Sequence, residues 1–93
     1  MSRRQILGLR TILTGASSGI GRCLALELAR QGARLVLTAR RQDALEELQR
    51  QIRGLGREAH VVAGDIVDPT VRQQLLETAN TELGGLDLLI NNA

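Results

Sequence analysis

Apolar residues recur along the chain in two alternating rhythms, short continuous runs and stripes spaced three or four apart. Leu9 to Leu13 is a short run that stops at a cluster of glycines. From Ser18 to Gln31, Ile20, Leu24 and Leu28 fall four apart, which predicts a helix with one apolar stripe, ended by Gly32. Ala33 to Ala39 is a nearly continuous apolar run and reads as a buried strand. Ala44, Leu45, Leu48, Ile52 and Leu55 mark a second amphipathic helix that closes around Gly54 and Gly56. Ala59 to Ala63 is a third strand, and Asp68-Pro69 predicts a capped helix start. Val71, Leu75, Ala79 and Leu83 supply that helix's buried stripe. Gly84-Gly85 ends it before a fourth strand, Leu86 to Ile90. The order is β-α-β-α-β-α-β, and strands alternating with crossover helices imply a parallel sheet covered on both faces. The expectation is an α/β chain, the first half of a doubly wound fold with right-handed crossovers, for which 3-2-1-4 is a common strand order and the one expected here.

The glycine cluster falls where the first strand must turn into the first helix. Gly15, Gly19 and Gly21 stand in a G-x-x-x-G-x-G arrangement. In a doubly wound sheet this turn faces the carboxyl ends of the strands, where ligands bind. Free N–H groups and the positive end of the helix make such a turn a site for anions. Gly15 allows the sharp turn, Gly19 allows a pyrophosphate to approach, and Gly21 lets the helix pack tightly on the sheet. Ser17 and Ser18 either cap the helix or donate to a phosphate oxygen. A glycine-rich turn with no ligand is the plainer alternative.

Charge and composition narrow the partners. The net charge of the 93 residues is only +2 and the arginines are scattered, so the concentrated basic footprint of a nucleic-acid binder is missing. Phe, Tyr and Trp are absent, which removes aromatic stacking as a means of recognition. Cys23 is the single cysteine and His60 the single histidine, leaving no metal-ligand cluster and no internal disulfide. Cys23 is read as a packing residue, His60 as a strand residue and Asp87 as the start of the fourth strand. The opening residues lack the long apolar run of a secretory signal or membrane span. A soluble cytoplasmic protein is the expectation.

Three segments, in order, carry a resemblance: "TGASSGIG" from Thr14 to Gly21, Asp65 after the third strand, and "NNA" from Asn91 to Ala93 after the fourth. Together they resemble the short-chain dehydrogenase/reductase family over nearly the whole chain. The resemblance implies a Rossmann-type fold and an NAD(P)-dependent oxidoreductase that interconverts a carbonyl and an alcohol. It places Gly15, Ser17, Ser18, Gly19 and Ile20 along the pyrophosphate and ribose, and Asp65 with Ile66 at the adenine. Asn91, Asn92 and Ala93 border the cofactor. A cap or turn role for Asp65 ahead of Asp68 is its alternative.

At the tip of the second strand, an acid would accept hydrogen bonds from an unmodified ribose and mark NAD. Ala39 occupies that slot here and Arg40 and Arg41 follow, so NADP(H) is expected in preference to NAD(H). The alternative is that both arginines only solvate the start of the second helix. The family's catalytic Ser and Tyr-x-x-x-Lys lie further along than Ala93, and these 93 residues contain neither Tyr nor Lys. Residues 1–93 are therefore expected to be the dinucleotide-binding segment of an incomplete domain, with no catalytic residue of its own. The parent is expected to be a homo-oligomer acting on a small carbonyl or alcohol. The alternative function is a non-catalytic dinucleotide-binding module or an inactive truncated product.

Overall fold

The computed structural model describes residues 3–92. A short helix α1 (Arg3–Ile6) leads into β1 (Arg10–Thr14), α2 (Gly19–Arg30), β2 (Arg34–Ala39), α3 (Gln42–Gly54), β3 (Ala59–Ala63), α4 (Pro69–Thr78) and β4 (Leu88–Asn91). The four strands form one parallel sheet in the order β3-β2-β1-β4. This is the expected alternation and the expected strand order.

Both faces of the sheet are used, which is why its strands read as unbroken apolar runs. Leu13, Leu35 and Leu37 point to one face and pack with Ala25, Leu28 and Ala29 of α2 and Leu45, Leu48 and Ile52 of α3. Ile12 and Val36 point to the other and pack with Val71, Leu75, Ala79 and Leu83. The stripe expected for the third long helix is therefore buried as read.

The stripe expected for α2 is buried at Leu28 only. Ile20 is 78% exposed and Leu24 is only partly buried, whereas Gly21, Ala25, Leu28 and Ala29 are buried. The buried line is rotated by about one residue because small side chains let α2 approach the sheet closely. Periodicity weighted by leucine and isoleucine misses that.

The ends of elements also shift. β1 runs Arg10–Thr14, not from Leu9, and β4 starts at Leu88, not Leu86. Asp87 lies just before β4 and is held by Arg10: its Oδ1 accepts from Nη2 at 2.8 Å and its Oδ2 from the backbone N–H at 2.9 Å. α1 had no counterpart in the expected order; it seats Ile6 in the core, and Gly8 N–H donates to the Gly32 carbonyl at 2.8 Å. After Thr78 the helix widens into a π-helical turn, Ala79–Leu83. Its orphan carbonyls find side-chain donors: Arg34 reaches Glu82 and Leu83 at 3.2 and 3.1 Å, and Arg10 reaches Gly84 at 2.9 Å.

Candidate functional site

Because all four strands run the same way, their carboxyl ends and the loops that follow gather at one edge. A cleft of about 980 Å³ opens there. Gly15, Ser17, Ser18, Gly19 and Ile20 line it from the first turn, Arg40 and Arg41 from the second. Asp65 and Ile66 line it after β3, and Asn91 and Asn92 at the end of β4. Ala93 lies outside the described residues.

The first turn is shaped by backbone that only glycine adopts without strain. Gly15 has φ 63° and Gly19 φ 55°. A Cβ on Gly19 would meet nothing within 4 Å, so its outer side is open to the cleft. Gly21, expected among the cofactor-binding residues, does not line the cleft. A Cβ there would sit 2.0 Å from the Gly15 carbonyl oxygen and 2.6 Å from Asn92 Nδ2. Its place is under the turn, where α2 meets the sheet, as expected of it. Ser18 occupies the N-cap position of α2, but its side chain makes no capping hydrogen bond. The capping role considered for Ser18 is thus not taken, and the first turn of α2 carries no acidic residue. The result is a helix start with N–H donors and no competing anion.

At the second strand tip the two arginines differ. Arg41 precedes α3 and lies 3.4 Å from Asp43, a loose pair between exposed groups. The Asp43 carboxyl is held below its usual range, first by the Ala44 backbone N–H and then by Arg41. Arg40 forms no hydrogen bond or ion pair with the described residues and is exposed at the rim. Ala39 keeps the tip free of a carboxylate.

At the third tip Asp65 Oδ1 accepts the Val67 N–H at 3.0 Å. The turn role weighed for Asp65 is therefore real, and it coexists with a place in the cleft wall.

The fourth tip is clasped to the first. The buried Thr14 hydroxyl donates to Asn91 Oδ1 at 2.7 Å and accepts the Asn92 N–H at 3.0 Å. Asn92 Nδ2 in turn donates to the Gly15 carbonyl at 3.3 Å. One hydroxyl thus couples the end of β4 to the glycine turn. Thr38, Gly64 and Val67 also line the cleft, and sequence reasoning singled out none of them. Thr14 and Thr38 had a readable signal, a polar residue near the carboxyl end of an otherwise apolar strand. Gly64 has φ 152° and is packed on by Val71, a contact between loop and helix that spacing does not reveal.

Elsewhere the candidates of lesser weight stay apart from the cleft. Cys23, read as a packing residue, is instead exposed on α2, and His60 Nε2 on β3 sits 2.7 Å from Glu58. Among the described residues no group of three or more His, Cys, Asp or Glu could hold a metal ion, and no helix is long and apolar enough to cross a membrane.

Comparison with known proteins places this geometry. A family model described as short chain dehydrogenase matches residues 10–93. The chain is 40% identical over 93 residues to hydroxysteroid 11-beta-dehydrogenase 1-like protein B of Xenopus laevis, covering 99% of this chain and 32% of that protein. The apo crystal structure of a glucose dehydrogenase from Caenorhabditis elegans superposes with a TM-score of 0.89 at 35% identity, covering 96% of this chain and 39% of that one. A short chain dehydrogenase from Burkholderia cenocepacia, solved in complex with NADP, gives 0.87 at 34% identity over 95% of this chain and 36% of its own. The chain spans about a third of the length of the curated relatives it matches.

Proposed function

Because the chain belongs to the short-chain dehydrogenase family, we propose that it forms the NADP(H)-binding portion of an oxidoreductase that interconverts a carbonyl and an alcohol. When bound, the dinucleotide supplies the hydride chemistry. This chain's residues bind and orient it. Residues 1–93 act as the dinucleotide-binding segment, in a parent that is homo-oligomeric and cytoplasmic.

The observation that carries the reading is one cleft that joins a donor-rich glycine turn to Arg40, which has no partner among the described residues. The cleft volume is within the range of small-molecule and cofactor sites, about 300–1,000 Å³. The open side of Gly19 fits a pyrophosphate, with Gly15, Ser17, Ser18 and Ile20 around it and the ribose. Asp65 and Ile66 take the adenine; a carboxylate oxygen accepts from its amino group. Asn91, Asn92 and Ala93 border the rest of the cofactor. At the ribose, Ala39 offers no acceptor for a 2′-hydroxyl and no charge against a 2′-phosphate. Arg40 is placed to pair with that phosphate, and Arg41, already shared with Asp43, is the second choice. The relative solved with NADP supports the choice of cofactor.

A charge-assisted hydrogen bond from Arg40 is worth ~1.5–3 kcal/mol, less where salt screens it. Since ~1.4 kcal/mol is tenfold in affinity, a clear preference is expected. The test is calorimetric titration of NADPH and NADH into the full-length protein, then into Arg40→Ala and Arg41→Ala. NADPH should bind at least about tenfold tighter, Arg40→Ala should remove most of that margin, and Arg41→Ala less. Equal affinities, or a margin untouched by both substitutions, would overturn the proposal.

A further inference from the structure

We infer that Arg72 is a positioning residue for the wall formed by residues 65–67, acting through the backbone and touching no ligand. The inference rests on the dinucleotide reading above and extends it to a residue outside the cleft lining. Nη1 of Arg72 donates to the carbonyl oxygens of Ile66 and Val67, each at 2.9 Å. The same turn closes on itself through Val67 N–H to Asp65 Oδ1 at 3.0 Å and Asp68 N–H to the Asp65 carbonyl at 2.9 Å. Two of its N–H groups, those of Val67 and Asp68, thus bond within the turn, and two of its carbonyls accept from one guanidinium.

Helix energetics does not account for this placement. α4 begins at Pro69, so Arg72 sits in its opening turn, where a cation opposes the helix dipole. Two carboxylates lie close in sequence, Asp65 and Asp68, and Arg72 pairs with neither among the described residues. Asp68 Oδ1 caps Thr70 N–H at 2.9 Å instead. The long side chain is ordered over the loop at a cost in rotamer entropy. What it gains is a fixed loop.

Fixing that loop matters to the cleft. Asp65 lines the cleft, and the Val67 N–H holds one of its carboxylate oxygens. Ile66 both lines the cleft and packs on the α4 face of the sheet. At the other end of the segment Val71 packs against Gly64, so neighbouring residues of α4 pin both ends of the wall.

A residue that acts this way has a signature different from that of Arg40. NADPH and NADH share the adenine, so both should weaken together and their ratio should stay constant. The experiment is titration of NADPH, NADH and reduced nicotinamide mononucleotide into the full-length protein, Arg72→Met and Arg72→Lys, with hydrogen exchange at the Val67 amide in the ligand-free forms. For Arg72→Met we expect about tenfold weaker binding of both dinucleotides, unchanged mononucleotide binding and faster exchange at Val67. Arg72→Lys keeps the charge and should fall between; if Arg72→Met does not fold, Arg72→Lys decides on the same readouts. Unchanged dinucleotide affinity, full rescue by lysine, selective loss of NADPH or equal loss of the mononucleotide would each overturn the inference. A parent protein that binds neither dinucleotide would instead overturn the cofactor reading beneath it.

Discussion

Gly21 and Gly19 lie two residues apart and should respond to the same substitution in opposite ways. Gly21→Ala places a methyl 2.0 Å from a backbone oxygen, which no rotamer change relieves. Overpacking of this kind costs roughly 1–3 kcal/mol, and the thermal melt of the variant should fall accordingly. Gly19→Ala meets no atom, so its cost is confined to the positive φ, while its methyl enters the open side proposed for a pyrophosphate. Binding should suffer more than folding. Thr14→Val keeps the shape but removes the hydroxyl that donates to Asn91 Oδ1 and accepts the Asn92 N–H, a loss of about 1–3 kcal/mol. Asp87 gives a pH dependence. Its carboxyl is lowered from the ordinary 3.8 to about 2, first by the Arg10 side chain and then by the Arg10 backbone N–H. A folded pKa below the unfolded one stabilises above the unfolded value, and that stabilisation is lost as pH falls through about 2. Acid unfolding of Asp87→Asn should lack this component between about pH 4 and pH 2, as followed by circular dichroism. That the glycine turn and the strand-tip arginines line one cleft was legible because each has a local reason to be where it is. The Thr14 clasp and the Arg10–Asp87 pair were not, since their partners lie 77 or 78 residues away and meet only through the sheet register.

At the scale of elements, the apolar runs were legible because a sheet covered on both faces needs no alternation to hide. The third helix stripe, Val71 to Leu83, was equally plain. α2 was misread, and the reason is physical. Burial of a helix face is set by how near the sheet it must come, and close approach selects Gly and Ala over Leu and Ile. The residues with the largest side chains then lie on the flanks or outside. This makes a paired prediction. Ile20→Ser should alter stability by no more than about 0.5 kcal/mol, as for an ordinary surface site. Ala25→Leu, an increase in apolar volume that sequence periodicity alone would welcome, should cost about 1–3 kcal/mol by forcing α2 off the sheet. Chemical denaturation of both variants checks the pair. If Ile20→Ser proves the more damaging, the helix is rotated from the position described.

At the scale of the whole molecule, the alternation of elements and the single hand of their crossovers gave a parallel, doubly covered sheet, while the order 3-2-1-4 came from the Rossmann-type fold that the resemblance implied. Among the described residues, that order leaves β4 at one edge of the sheet, paired with β1 on one side and with no neighbouring strand on the other. Leu88 and Ile90 share the face of α2 and α3 yet are only partly buried, and Leu89 on the opposite face is 58% exposed. A parallel strand that is apolar on both faces and open along one edge is a template for another chain. Folded domains hold only ~5–15 kcal/mol in reserve, so leaving such a strand uncovered weighs heavily. A polypeptide of these 93 residues should therefore self-associate or melt without a sharp transition. Leu89→Lys, which puts a charge beside the open edge without touching the cleft, should shift it toward monomer. Size-exclusion chromatography with light scattering and a thermal melt decide the matter. A monodisperse monomer with a cooperative transition, unchanged by Leu89→Lys, would mean that the sheet tolerates its open edge and that β4 needs no cover.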